Sequence, residues 1–170
     1  MPAVRSAFST EVDSFAELHA DFFALTEAIN WCTASTVDGR GRPRNRILHV
    51  DWQLDSDRPV GTVTTHRTPV LIAHLAGNPF LSCAYWTPEH NVVYADCATS
   101  WIADQPAKQL AWGVMAPKAI GLGYDPYAAW PDGPTDPTFA VLRLQPWRIQ
   151  ITLADLSTAR TVASSRVWHQ

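Results

Sequence analysis

"GRPRNRILHV", residues 41–50, carries an arginine at every second position, Arg42, Arg44 and Arg46, and then turns apolar. Alternation at period two is the side-chain period of a β-strand, so the stretch reads as a strand with a basic entrance. Just before it, "WCTASTV" (31–37) is β-branched and alternating, and "DGRGRP" supplies the glycine and proline of a turn, so residues 31–53 read as a hairpin. About twenty residues further on comes "THRTPVLIAHLAGNPF" (65–80), a polar turn leading into a short apolar helix that stops before Asn78-Pro79. A helix N-terminus presents unpaired backbone N–H groups and favours an anion. The basic strand and this helix entrance are therefore candidates for gripping the same one.

The rest of the chain frames these two segments. Residues 9–28 place Val12, Phe15, Leu18, Phe22 and Leu25 at mostly three- and four-residue spacing, continued by Ile29, which predicts an amphipathic helix with Ser9 or Thr10 as its cap. A third strand is expected at "VGTVTT", and two more at "FLSCAYW" and "NVVYADCATSWIA", separated by the turn "TPEH". Asp104 is the expected cap of a short helix reaching about Trp112. Residues 116–137 hold five prolines and three glycines together with Tyr124, Tyr127 and Trp130, which predicts an ordered, irregular loop packed on a surface or over a pocket. "FAVLRLQPWRIQITL" reads as one or two strands broken at Pro146, and "SRVWHQ" as a polar tail. Six or so mainly antiparallel strands with short helices, in one domain spanning 1–170, point to a small β-barrel.

Composition narrows the function classes. A net charge of −3 gives no global attraction to nucleic acid or to an anionic membrane, so any anion site must be a local patch. No apolar run approaches the roughly 18 residues of a membrane span, and the N-terminus lacks the apolar segment of a signal peptide. A soluble, cytoplasmic protein is the expectation. Cys32, Cys83 and Cys97 lie in strand-like settings without a CxxC and read as reduced core thiols. The six histidines form no HExxH and no Cys/His ligand spacing, so no metal site is expected. No Ser-His-Asp arrangement or paired carboxylates stand out, which leaves the catalytic residues unassigned.

Three motifs in order, G-x-P-x-x-R at Gly41–Arg46, N-P-x-x-S-x-x-x-W at Asn78–Trp86 and R-L-x-P-x-x-I at Arg143–Ile149, resemble the pyridoxamine 5'-phosphate oxidase family and its wider flavin and deazaflavin relatives. The resemblance covers roughly residues 15–152. It implies a six-stranded antiparallel split β-barrel, a homodimer with the cofactor cleft at the interface, and FMN as cofactor, with the deazaflavin coenzyme F-420 as the alternative. The family's cofactor contacts fall on Arg46, Ile47, Leu48, His49 and Thr65. Its lysine five residues after the strand arginine falls on Asp51, its Arg-Lys phosphate clamp on Val70 and Leu71, and a cofactor-contacting glutamine on Val92. Charge-assisted donors that replace the clamp are sought in Arg44 and in His66, Arg67 and Thr68 before the helix, with Thr64 and Pro69 flanking them.

The function this implies is a flavin-dependent oxidoreductase acting on a small organic substrate, with the cofactor carrying the chemistry. Pyridoxamine phosphate oxidation itself needs further basic residues for the substrate phosphate, and after Arg143 and Arg148 the chain offers only Arg160 and Arg166. The alternative is a split-barrel protein that binds a flavin, haem or other small molecule without turnover.

Overall fold

The computed structural model describes residues 9–154 and 164–170; Arg160 lies outside them. In chain order the elements are β1 (Ser9–Glu11), α1 (His19–Ile29), β2 (Trp31–Val37), β3 (Pro43–His49), β4 (Asp51–Asp55), β5 (Arg58–His66), α2 (Pro69–Gly77), β6 (Phe80–Trp86) and β7 (Val92–Ile102). They are followed by α3 (Gln105–Gly121), α4 (Pro126–Ala129), β8 (Phe139–Leu153) and β9 (Ser164–His169).

The hairpin at the basic strand forms as its sequence requires. β2 and β3 pair antiparallel from Trp31 opposite His49 to Val37 opposite Pro43. Asp38 closes the turn: its carboxylate accepts from the Arg40 and Arg42 amides at 2.9 and 3.0 Å and from Arg42 Nε at 2.8 Å. The chain bends at the buried Val50 and starts a second hairpin, β4–β5. α2 begins where Thr68 Oγ1 accepts from the Leu71 amide, with Pro69 in the first turn.

The sheet runs β1–β9–β8–β7–β6–β2–β3, with β5 on the flank of β8 and β4 on β5. β8 is the organising strand. It pairs with β7 over most of its length, with β5 through Phe139–Leu144 and with β9 through Arg148–Leu153. Asp96 faces Arg148 and Cys97 faces Pro146, so Trp147 is the extra residue of a bulge. A bulge is where a strand tolerates a proline, which donates no ladder hydrogen bond. Among the described residues, β1, β3 and β4 are the strands with one sheet neighbour each, so the sheet does not close on itself.

One core cluster fills the barrel around Phe22, Trp52, Val63, Tyr85, Leu142 and Ile151, with Trp52 Nε1 donating to Tyr85 Oη at 2.8 Å. A second, smaller cluster of Trp112, Met115, Trp130, Phe139 and Val141 lies under α3. Cys32, Cys83 and Cys97 are buried free thiols in the first cluster.

Several sequence expectations are corrected. The described residues form nine strands in a mixed sheet, not six antiparallel ones, because the "RNRILHVDWQL" run divides at Val50 and because β1 and β9 pair in parallel. Residues 9–11 are strand, and the helix starts only at His19, after Glu17 has accepted from the Asp13 and Ser14 amides at 3.1 and 3.3 Å. α3 runs past Trp112 and through Pro117 to Gly121, so much of the expected irregular segment is helical. "SRVWHQ" is not a tail: it forms most of β9 and buries Val167 and Trp168. β8 is one continuous strand, bulged rather than broken at Pro146.

Gly61 sits opposite Trp52 across the β4–β5 pair. A Cβ there would lie 2.7 Å from Val50 Cγ1 and 2.8 Å from Trp52 Cζ3, inside van der Waals contact. Gly61→Ala is expected to lower stability by about 1–3 kcal/mol through overpacking. Urea unfolding followed by far-UV circular dichroism reads the shift, and an unchanged midpoint would show that Trp52 yields freely.

Candidate functional site

Residues directly opposite each other in an antiparallel pair share a face. Arg44, Arg46 and Leu48 stand opposite Thr36, Ala34 and Cys32, all buried, so these three side chains belong to the interior face of β3. Ile47 and His49 lie on the other face, and Ile47 is 63% exposed. Arg46 donates to Thr36 Oγ1 at 2.8 Å, and Thr36 Oγ1 is 2.9 Å from Nδ1 of the buried His74 on α2. This chain of contacts fixes the Arg46 guanidinium to β2 and α2 at once. Its burial pushes the Arg46 pKa down, yet a guanidinium stays charged throughout the physiological range. Among the described residues neither Arg44 nor Arg46 has a carboxylate partner, whereas Arg42, Arg143, Arg148 and Arg166 are each paired with an aspartate.

The second segment is divided in the same way. Thr65, opposite Ala140, shares the interior face with the fully buried Val63. Thr64 and His66 face the smaller core, where His66 lies over Trp130 with ring centroids 4.7 Å apart. Arg67 stands over the Trp101 ring, 5.6 Å from its centroid. At the start of α2, Pro69 has no N–H, the Leu71 amide is taken by Thr68 Oγ1 and the Ile72 amide by Thr68 O. The Val70 amide is the remaining donor of that first turn. His74 stands six residues after Thr68, about 9 Å along the helix at 1.5 Å per residue, so Arg46 meets the middle of α2 rather than its entrance.

A cleft of about 340 Å³ opens between the C-terminal end of α1, the β3–β4 bend and the C-terminal end of α3. His49 lines it, as do Glu27 and Asn30 from α1, Asp51 and Trp52 from β4, and Lys118 and Leu122 from the α3 end. Lys118 Nζ is ion-paired with Asp51, whose carboxylate also accepts from Gln53 Nε2 at 3.2 Å. Burial, and then the charge of Lys118, hold the His49 pKa below its usual value, which favours the neutral imidazole. Trp31 leans on both His49 and Tyr124, with centroids 5.9 and 6.2 Å away.

The Arg44–Arg46 edge suits an anionic group spread along a strand. β3 is an edge strand with its outer backbone groups unpaired among the described residues, and two uncompensated guanidiniums project from it. A concentrated clamp at α2 is sterically foreclosed at one of its two positions, since Leu71 is 2% exposed and part of the core, while Val70 is 58% exposed. The buried Trp130 Nε1 has no hydrogen-bond partner among the described residues. No group of three or more His, Cys, Asp or Glu side chains able to hold a metal occurs among the described residues. No helix among them is long and apolar enough to cross a membrane.

Sequence reasoning missed Thr36 and His74 as the anchors of Arg46, and Lys118 as the partner of Asp51. The hairpin register would have placed Thr36 opposite Arg44. Nothing in the pattern places His74 or Lys118, because both arrive from helices laid across the sheet.

No protein-family model and no curated protein sequence matches the chain. Solved structures do. A Clostridium acetobutylicum protein related to general stress protein 26, described as of the pyridoxinephosphate oxidase family, superposes with a TM-score of 0.66 at 12% identity, covering 89% of this chain and 95% of that one. A pyridoxamine 5'-phosphate oxidase-related, FMN-binding protein from Nostoc punctiforme gives 0.57 at 16% identity, with coverages of 92% and 97%. An F420 reductase gives 0.57 at 14% identity, with coverages of 75% and 94%. Likeness at these identities establishes the fold.

Proposed function

We propose that this chain, built on the fold of the pyridoxamine 5'-phosphate oxidase-related proteins, is an oxidoreductase that binds FMN and acts on a small organic substrate. The observation that carries this reading is the pair of uncompensated guanidiniums, Arg44 and Arg46, on the interior face of an edge strand beside α2. Arg46, fixed by Thr36 and His74, is the rigid donor to the cofactor's anionic end, and Arg44 extends the positive surface along the strand. Leu48, Thr65, Thr68 and Arg67, the last standing over Trp101, are the further contacts this reading assigns to the cofactor. When bound, the flavin accepts and returns the hydride; the chain's own residues bind and orient it and exclude water.

A second reading has one specific observation in its favour. Coenzyme F-420 carries a phosphodiester and carboxylates instead of one compact dianion, and the buried Leu71 leaves positive charge spaced over Arg44, Arg46 and Arg67 rather than concentrated at α2. The functional unit proposed is a homodimer. The outer face of the sheet exposes Trp31, Ile47, Phe80, Trp86 and Tyr94 around the polar Ser82–Asp96–Arg148 cluster, and this is the face assigned to the second copy.

Visible absorption of the purified protein, with parallel fluorescence titrations of FMN and coenzyme F-420, tests the assignment. FMN is expected to bind with a Kd below about 10 μM, roughly −7 kcal/mol. Binding of F-420 alone selects the second reading, and failure of both selects a split-barrel protein without flavin chemistry. Light scattering is expected to give twice the 18.8 kDa chain mass; a monomer at micromolar concentration overturns the dimer.

A further inference from the structure

We propose that the cleft between α1, the β3–β4 bend and α3 binds a small single-ring molecule carrying a positive charge, of the class of protonated aromatic amines, and rejects carboxylates and phosphates. Binding here needs no flavin and goes beyond the function assigned to Arg44 and Arg46.

Size and walls set the shape of the ligand. About 340 Å³ is the lower end of the range for small-molecule sites and matches one ring with a short substituent. Val50, Trp52 and Leu122 give it apolar lining, and the Trp52 ring and the His49 imidazole are its aromatic faces. Such faces also attract cations.

Charge sets its sign. The carboxylates of Glu27 and Asp51 line the cleft against the single ammonium of Lys118. The helices add to this imbalance: α1 ends at Ile29 and α3 at Gly121, and both present their C-terminal ends to the cleft through Asn30 and Leu122. A helix C-terminus acts as about half a negative charge, so two of them favour a cation and oppose an anion. His49 faces the cleft from β3 as a neutral imidazole and brings no positive charge.

Lys118 shows how the ligand's ammonium would sit. Its side chain is 51% exposed while that of Asp51 is 12% exposed, so the carboxylate is a fixed part of the wall and the lysine a movable arm laid on it. In this arrangement Lys118 occupies the ammonium position, and an incoming amine competes with it for Asp51. The consequence is specific: removing the lysine strengthens amine binding, the opposite of what a phosphate- or carboxylate-binding lysine would do.

Benzylamine and benzoate, equal in ring and opposite in charge, are the probes, titrated into the whole chain by ¹H–¹⁵N NMR at low salt. Benzylamine is expected to bind with a Kd of about 1 mM and to shift the Asn30, Gly121 and Leu122 amides, with benzoate about tenfold weaker or absent. Lys118→Met is expected to tighten benzylamine about two- to fivefold, and Glu27→Gln to weaken it by a similar factor, the worth of one partly exposed charge. Leu122→Trp is expected to fill the cleft and abolish binding. Equal or tighter binding of benzoate, weaker amine binding by Lys118→Met, or binding of neither probe overturns the proposal. Lys118 and Glu27 are exposed enough that their variants decide the matter even if Leu122→Trp fails to fold. A chain that takes benzylamine but no FMN upholds this cleft and overturns the flavin reading; the reverse result does the opposite.

Discussion

Phe22→Ala is expected to destabilise the protein by about 3–5 kcal/mol, the range for a large aromatic removed from a closed core. Phe22 has no exposed surface and holds α1 to the sheet through an edge-to-face contact with Trp52, at a centroid distance of 5.1 Å, and packs edge-to-face on Phe15 before the helix, at 5.5 Å. Those neighbours are rings anchored elsewhere: Phe15 leans on Trp168, and Trp52 is hydrogen-bonded to Tyr85. They have little freedom to collapse into the space vacated, which places the loss toward the upper part of the range. For a chain of this length the melting temperature should fall by on the order of 10 °C. Phe23→Ala, at a partly buried neighbouring position, is the comparison and should cost clearly less. Similar midpoints for the two variants in urea unfolding would show that α1 is not pinned by Phe22.

Arg46→Ala is expected to weaken FMN binding by about 1.5–3 kcal/mol, roughly ten- to a hundredfold, if one charge-assisted contact to the cofactor is lost. The fold should survive the change, because Thr36 and His74 keep each other as partners at 2.9 Å when the guanidinium is removed. Arg44→Ala removes a charge held by nothing else in the described structure and should weaken binding less. Arg42→Ala is the control: its guanidinium is tied to Asp38 inside the turn and should barely matter to the cofactor. Superimposable fluorescence titrations for wild type and Arg46→Ala would remove Arg46 from the assignment. Unfolding curves for the same variants separate a lost contact from a loosened strand.

The elements that sequence pattern located well are those whose signals are local. Thr68-Pro69 and Asn78-Pro79 bracket α2 because a cap and a helix-incompatible proline act within a few residues. "FLSCAYW" alternates because β6 has one buried and one outward face, and its buried members are Leu81, Cys83 and Tyr85. α3 was obscured by Pro117. A proline late in a helix costs chiefly the bond to the carbonyl four residues back, here Gly113, and the buried Trp112, Met115 and Ala119 continue the apolar face across it. β9 was obscured because a strand with a short, polar-looking sequence is identified by its partners, and these are β8 and β1. The candidate site divides along the same line. The alternation of Arg44 and Arg46 is written in ten residues; the anchoring of Arg46 by His74 and the capture of Asp51 by Lys118, 67 positions away, depend on how helices cross the finished sheet.

The pairing of β1 with β9 sets an order of events during synthesis. Ser9 stands opposite Ser165 and Glu11 opposite Val167, so the first strand has no partner until nearly the whole described chain has left the ribosome. Phe15 likewise waits for Trp168. The β2–β3 and β6–β7 hairpins can form as they emerge, since their contacts are local, but closure over the Phe15 end of the core is a late, long-range step of the kind that slows folding. Until then the backbone of β8 at Arg148–Leu153 presents an unpaired edge. A nascent chain stalled before residue 164 would therefore be a species with an open sheet edge and an uncovered aromatic surface, a natural target for holding chaperones.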